Sequence, residues 1–164
     1  MRWFLDTEFN EDGKTIELIS IALVSESDMQ YYAVSSEFDE ARCSDWVKQN
    51  VLPKLPREGR KSRALIAQEI RGLVLGALPW PSRRPEFWAY FADYDWVVFC
   101  QLYGRMIELP EGFPMYCNDL KQLMHERHID KDDLPQQSEG SEHDALADAR
   151  WVRSAWLWIH RRDD

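Results

Sequence analysis

Cysteine is scarce in this chain. The 164 residues include only three, Cys43, Cys100 and Cys117, and no two of them form a Cys-x-x-Cys pair. An odd number of scattered cysteines argues against a disulfide framework and against a thiolate zinc site. We therefore expect reduced thiols and a cytoplasmic protein.

Long apolar runs are also missing. No stretch of the sequence reaches the ~20 apolar residues needed to cross a bilayer. Because the N-terminus meets a charged residue at Asp6, we expect neither a membrane span nor a signal peptide. With 45% hydrophobic residues and eight tryptophans, the chain is expected to fold as one globular domain over residues 1–164.

Positive charge is in deficit. The net charge is −9, whereas a simple nucleic-acid-binding module is usually basic. That objection weakens if several carboxylates hold metal ions, because the cations would restore positive charge. Basic clusters occur at residues 57–63 and at Arg83 and Arg84. They either contact phosphates or form a solvated surface, and the sequence leaves both possibilities open.

Hydrophobic periodicity predicts an α/β fold. Three strands with turns between them are expected at residues 2–9, 15–25 and 29–35. Further strands are expected at 87–91 and 115–117, and helices at 39–50, around 65–74, and at 93–106, 119–127 and 141–160. Pro79 and Pro81 are expected to break the chain. This order favours a mixed sheet, an antiparallel meander of three strands plus parallel strands, flanked by helices.

Two acidic residues end the first apolar run, FLDTEF at residues 4–9. In a strand, Asp6 and Glu8 project from the same face. Neighbouring carboxylates in an apolar setting repel each other and lose hydration, so a fold that places them there usually binds a cation.

Further acids follow at two places along the chain. Asp95 begins the inward stripe of a predicted helix, where an unpartnered charge is costly, whereas Asp93 has a simpler explanation as the N-cap of that helix. His143 and Asp148 are five apart and could face one site if His143 lies at the entrance of the last helix. Ser141 and Asp144 resemble a capping box there.

The ordered set of Asp6-x-Glu8, Asp95 and His143-x-x-x-x-Asp148 resembles the DEDDh branch of the 3′→5′ exonuclease superfamily. Three segments are similar to small bacterial or phage exoribonucleases related to RNase T. They are the run from Asp6 to Phe9, residues 16–21, and Tyr94-Asp95 with residues 100–102. The resemblance implies a ribonuclease-H-like fold, two Mg²⁺ or Mn²⁺ ions, and removal of nucleotides from single-stranded RNA 3′ ends or overhangs. It also implies a homodimer.

The resemblance suggests a role for each site residue. Asp6 would bridge both metals, Glu8 and Asp148 would complete the site of the metal that carries the water, and Asp95 would help to hold the second metal. His143 would take the proton from the attacking water, since its ordinary pKa lies near working pH. For substrate contact we consider Thr7, and for base stacking Phe9 or Trp96, with Trp88 favoured as a core residue.

Several alternatives remain open at this point. The same fold could trim DNA, a related enzyme could cut internally, and an inert module could bind nucleic acid or a protein partner. The tryptophans of the last helix, Trp151, Trp156 and Trp158, exceed what one core face needs and favour an interface between two copies.

Overall fold

A mixed five-stranded sheet forms the centre of the computed structural model, which describes residues 1–77, 84–138 and 140–161. In chain order the strands are β1 (Arg2–Glu11), β2 (Ile16–Ser25), β3 (Gln30–Val34), β4 (Glu86–Ala89) and β5 (Asn118–Asp119). They lie in the order β3-β2-β1-β4-β5, with antiparallel pairing from β3 to β1 and parallel pairing from β1 to β5. The predicted meander joined to parallel strands is thereby confirmed.

Helices cover both faces of this sheet. They are α1 (Asp45–Asn50), α2 (Arg63–Gly76), α3 (Ala92–Gln101), α4 (Leu120–Glu126) and α5 (Ala145–His160), with short 3₁₀ turns at Glu40–Arg42, Leu52–Lys54, Met106–Glu108 and Lys131–Asp133. Residues of α2 and α3 share one core with the sheet, and residues of α4 and α5 share another. None of the helices in the described ranges combines the length and hydropathy of a membrane-spanning segment.

The alternation of β1 decides where its acids point. Trp3 and Leu5 are fully buried against α2 and α3, whereas Phe4 is fully buried in the cluster that contains α5. Since side chains two apart share a face, Asp6 and Glu8 continue the row of Phe4 on the α5 side. The pairing register of β1 with β2 shifts directly after Glu8.

Small residues bring α5 close to the sheet. Ala145 and Ala149 are fully buried and pack against Ala22 and Val24 of β2. The small side chains keep the helix axis near the strands, as the sequence predicts. The first turn of α5 therefore lies close to the acids of β1.

Several predicted boundaries are wrong. Two helices begin later than expected, because a capping residue inside each predicted helix marks its true start. The helix expected at 39–50 is a 3₁₀ turn followed by α1, since the Ser44 hydroxyl accepts the Val47 N–H at the start of α1. The helix expected from Ser141 begins only at Ala145, because the Asp144 side chain caps it. The strand expected at 115–117 is displaced to β5. Arg83, Pro79 and Pro81 lie outside the described residues.

The tryptophans of α5 are mostly used inside the chain. Trp151 and Trp156 are 7% and 5% exposed and pack in the α4–α5 core. Their burial removes the reason for expecting an interface at these two rings. In the basic cluster, Arg60 pairs with Glu40 and Lys61 with Glu69, so half of that cluster is neutralised locally.

Candidate active site

A cleft of about 500 Å³ opens where β1, α3 and α5 meet. All five predicted catalytic residues line it: Asp6, Glu8, Asp95, His143 and Asp148. Residues that are up to 142 positions apart in the sequence are thus brought to one place. Thr7 and Phe9, two of the predicted substrate residues, also line this cleft.

Three carboxylates converge most closely. One oxygen each of Asp6, Glu8 and Asp148 lies within 4.8 Å of the others. Two of these acids come from β1 and the third from the first turn of α5. Carboxylates at this spacing can share a divalent cation, and an oxygen-only ligand set suits hard ions such as Mg²⁺ and Mn²⁺.

Burial and mutual repulsion perturb these acids. Burial, and then the charges of Asp95, Asp148 and Glu8, hold the pKa of Asp6 well above its usual range. Burial, with the charge of Asp148 next, raises the pKa of Glu8 to about 8. Burial also raises the pKa of Asp148. Such shifts are typical of buried carboxylates that are crowded together, and a bound cation would relieve their repulsion.

Asp95 reaches the same cleft from α3. It is 6% exposed, and one of its oxygens accepts both the backbone N–H of Thr7 at 2.8 Å and the Thr7 hydroxyl at 2.6 Å. Burial raises the pKa of Asp95 to about 7, and the bonds from Thr7 oppose the rise. The second carboxylate oxygen of Asp95 makes none of these bonds and is oriented by them.

Asp93 takes neither of the roles considered for it. It lies exposed in the first turn of α3. The N-cap of that helix is Phe91, whose φ of 56° is in the left-handed region, so the prediction of Asp93 as the cap is wrong. Of the two acids, Asp95 is the one that lines the cleft, since the helix turns Asp93 to solvent.

His143 lies outside the helix that carries Asp148. Its φ is 62°, and its backbone N–H donates to Oδ2 of Asp148 at 2.8 Å. The ring meets the edge of Trp46 with centroids 4.7 Å apart. Because α5 starts only at Ala145, the five-residue spacing from His143 to Asp148 brings both side chains to one site.

The predicted substrate residues divide into three cases. Phe9 stacks on Tyr94 with ring centroids 5.6 Å apart and planes 10° from parallel, and both rings line the cleft. The hydroxyl of Thr7 is committed to Asp95. Trp96 is not brought to the cleft: it is 9% exposed and stacks on Phe99 in the core, so the helix points it away from any substrate.

Other residues of the cleft carry no clear signal in the sequence. Gln137 donates to Oδ1 of Asp148 at 2.5 Å, and Trp46, Tyr90, Phe91 and Lys131 also line the site. They come from loops and helix ends whose placement depends on tertiary packing. Of these residues, only Tyr90 and Phe91 lie in a segment that the sequence singles out, the predicted strand at 87–91.

The chain is similar to known exoribonucleases. Residues 1–160 match the family described as the 3′-5′ exoribonuclease Rv2179c-like domain. The 3′-5′ exoribonucleases Rv2179c and MT2234.1 of Mycobacterium tuberculosis strains H37Rv and CDC 1551 are each 42% identical over 167 residues, covering 100% of this chain and 96% of the relative.

Solved structures share the fold at low sequence identity. A full-length 3′-exonuclease matches with a TM-score of 0.55 at 10% identity, over 99% of this chain and 82% of that one. A 3′-exonuclease described in 3′-end-specific recognition of a histone mRNA stem-loop gives 0.57 at 12% identity, over 98% of this chain and 63% of that one. At such identities the likeness concerns the fold alone.

Proposed function

Because the chain belongs to the Rv2179c-like family of 3′-5′ exoribonucleases, we propose that the acidic cleft is its active site and removes nucleotides from single-stranded RNA 3′ ends or overhangs. The observation that carries this proposal is the convergence of Asp6, Glu8 and Asp148 within 4.8 Å beside His143. Residues 1–164 would act as a single domain.

We propose that Asp6, Glu8, Asp95 and Asp148 hold two divalent ions, Mg²⁺ or Mn²⁺. The charges of the three other acids all act on Asp6, so Asp6 would be the central ligand of this set. When bound, such ions activate a water and stabilise the oxygen that leaves the phosphorus. Thr7 contributes by fixing Asp95, whose Oδ1 it bonds twice.

His143 is the proton acceptor in this proposal. An imidazole nitrogen takes the proton of the attacking water and releases it to solvent, and histidine is the side chain that most often has this role. The contact with Trp46 orients the ring, and the backbone bond to Asp148 ties the histidine to one of the metal ligands. The water oxygen then forms a bond to the phosphorus of the terminal phosphodiester as the P–O bond to the preceding nucleotide breaks. The departing oxygen takes a proton from solvent, and one nucleotide is freed.

The strand itself would be held by aromatic stacking. The Phe9–Tyr94 pair presents a ring surface directly after Glu8 and is suited to a terminal base. RNA is favoured over DNA because the family is one of exoribonucleases. The three unpaired cysteines fit a reducing, cytoplasmic setting. A homodimer remains part of the proposal, and sedimentation of the purified chain tests it.

The decisive experiment follows product sizes over time. RNA and DNA oligonucleotides of one sequence, labelled at the 5′ end, are incubated with the protein and Mg²⁺ or Mn²⁺. We expect the RNA to shorten one nucleotide at a time from its 3′ end. Faster shortening of the DNA would favour a DNA 3′→5′ exonuclease. Internal fragments would indicate an endonuclease, and unchanged oligonucleotides would indicate an inert binding module.

The role of His143 is tested by His143→Ala. We expect turnover to fall by about 10²- to 10⁴-fold, the usual contribution of a positioned acid–base group, with metal affinity in calorimetry unchanged. His125→Ala is the matched control, because His125 is exposed on α4 and lies apart from the cleft. Equal losses of turnover and metal affinity in His143→Ala would contradict a role in proton transfer.

A further inference from the structure

One wall of the cleft is a chain of aromatic contacts that ends in a lysine. Phe91 meets Tyr90 at 4.6 Å between ring centroids, and Tyr90 meets Trp151 at 5.0 Å. Lys131 lies over the Trp151 ring, with its Nζ 5.4 Å from the centroid. All four residues line the same cavity as the acids. We call these four residues the aromatic wall.

The backbone at the far end of this wall is strained. Phe91 has a φ of 56° and a side chain that is 59% exposed, and its N–H donates to Asp119 at 3.2 Å. A bulky residue in the left-handed region costs free energy that the surrounding structure must offset. That conformation holds an apolar ring towards solvent on the lining of the cleft.

Within the described residues, Lys131 pairs with the carboxylate of Glu142, the residue that precedes the histidine. Its Nζ lies 3.4 Å from Oε1 of Glu142, and both side chains are about half exposed, at 52% and 58%. Lys54 donates separately to the backbone carbonyl of Glu142. The position of residue 142 therefore does not depend on the Lys131 pair alone.

Deepening the proposed function, on which this inference rests, we propose that Lys131 binds a phosphate of the RNA strand and that Glu142 holds its place in the free enzyme. Phe91 is exposed and Tyr90 half-buried, and such rings next to a cation match the repeating base and phosphate of a single strand, whereas the buried Trp151 supports the lysine. The carboxylates of the cleft repel the phosphates of RNA, so a positive side chain on the lining would help the strand to bind. Lys131 lies on that lining. An exposed ion pair is weak enough to exchange for a phosphate.

Two substitutions separate phosphate binding from mere support of the histidine loop. Lys131→Met keeps the aliphatic stem over Trp151 and removes the charge. Glu142→Gln removes the competing carboxylate and keeps the backbone carbonyl for Lys54. Lys14→Met is the control, since Lys14 lies in the exposed β1–β2 turn, away from the cleft.

Steady-state trimming of a single-stranded RNA gives KM and kcat. Binding of the same RNA gives Kd and is measured in a His143→Ala background, where trimming is slow. We expect Lys131→Met to raise KM and Kd about five- to tenfold, as for a partly exposed charged hydrogen bond. We also expect it to reduce the slope of log Kd against log salt by about 0.7, the value for one single-strand phosphate contact. Glu142→Gln should lower Kd about twofold. The control should change neither quantity.

The opposite signs make the inference falsifiable. If Lys131 only supports the loop through Glu142, both substitutions remove the same ion pair and should lower kcat alike, without a change in the salt slope. That result would overturn the inference, as would wild-type Kd and slope in Lys131→Met. Trimming by the wild-type protein is scored first, so failure of the proposed function is seen separately from failure of this inference.

Discussion

Replacing Glu8 by glutamine should stabilise the metal-free protein while abolishing its activity. Glu8 is 8% exposed, and burial followed by the charge of Asp148 raises its pKa from 4.5 to about 8. A carboxyl group whose pKa is raised in the folded state binds its proton more tightly there than in the unfolded chain. Its contribution to stability is thus fully present below pH 4.5 and is lost as the pH rises towards 8.

The size of the effect follows from that shift. Each pKa unit corresponds to about 1.4 kcal/mol. Because the unfolded chain ionises Glu8 at a lower pH than the folded protein does, the folded state loses about 3 kcal/mol of stability at pH 7 and less than about 1 kcal/mol at pH 5. A buried glutamine amide keeps part of the desolvation cost. We therefore expect Glu8→Gln to raise the free energy of unfolding by about 1 to 3 kcal/mol at pH 7, with little gain at pH 5.

Urea unfolding in the presence of EDTA at pH 5, 7 and 8.5 measures this gain. Glu58→Gln removes the same formal charge from an exposed loop residue that does not line the cleft and should leave stability nearly unchanged. Adding Mn²⁺ should stabilise the wild type strongly and Glu8→Gln much less. A ligand that binds only the folded state shifts the unfolding equilibrium towards that state. A metal-free Glu8→Gln protein no more stable than wild type at pH 8.5 would refute the reasoning.

Two further predictions concern residues beside the acids. Thr7→Val should lower kcat about tenfold, because Asp95 loses one of its two bonds from Thr7. Thr7→Ser keeps the hydroxyl and should keep kcat near the wild-type value. Full activity of the valine variant would show that the hydroxyl is dispensable. Phe9→Leu should raise KM for single-stranded RNA about fivefold with kcat unchanged, measured against Tyr116→Leu, an exposed ring outside the cleft. An unchanged KM would remove Phe9 from substrate binding.

The acids of β1 were predictable because they follow from local periodicity. Alternation in a strand assigns Asp6 and Glu8 to one face without knowledge of the rest of the fold, and the buried flanks Phe4 and Leu5 exclude a solvated edge. The inward face of α5 followed similarly from the spacing of Ala145 and Ala149. These inferences needed only the repeat of one element.

The assignments that failed needed the orientation of one element against another. Successive residues of a helix differ by about 100°, so Tyr94, Asp95 and Trp96 point in three directions, towards Phe9, the cleft and the core. Choosing among them requires the rotation of α3 on the sheet, which no short pattern encodes. The ordered acids indicated Asp95, but nothing comparable favoured Tyr94 over Trp96.

Helix starts failed for an energetic reason. Ser141 and Asp144 are both good N-cap residues, and the preference between such residues is only a fraction of a kcal/mol. Tertiary contacts decide the outcome: the Ser141 hydroxyl bonds to the Ser138 carbonyl, and Asp144 caps α5. Three residues of difference place His143 in a loop, where a positive φ can aim it, and this boundary therefore determines whether the histidine can reach the acids.

The crowded acids that destabilise the metal-free fold are also the groups proposed to bind the metal ions. Asp6, Glu8 and Asp148 are held within 4.8 Å by two separate elements, so neither strand nor helix can relax their repulsion without losing core packing at Phe4 or Ala149. A divalent cation relieves that repulsion at a pH where the carboxylates must be ionised to bind it. Metal affinity and metal-free instability thus have one physical cause, and substitutions at these acids should change both together.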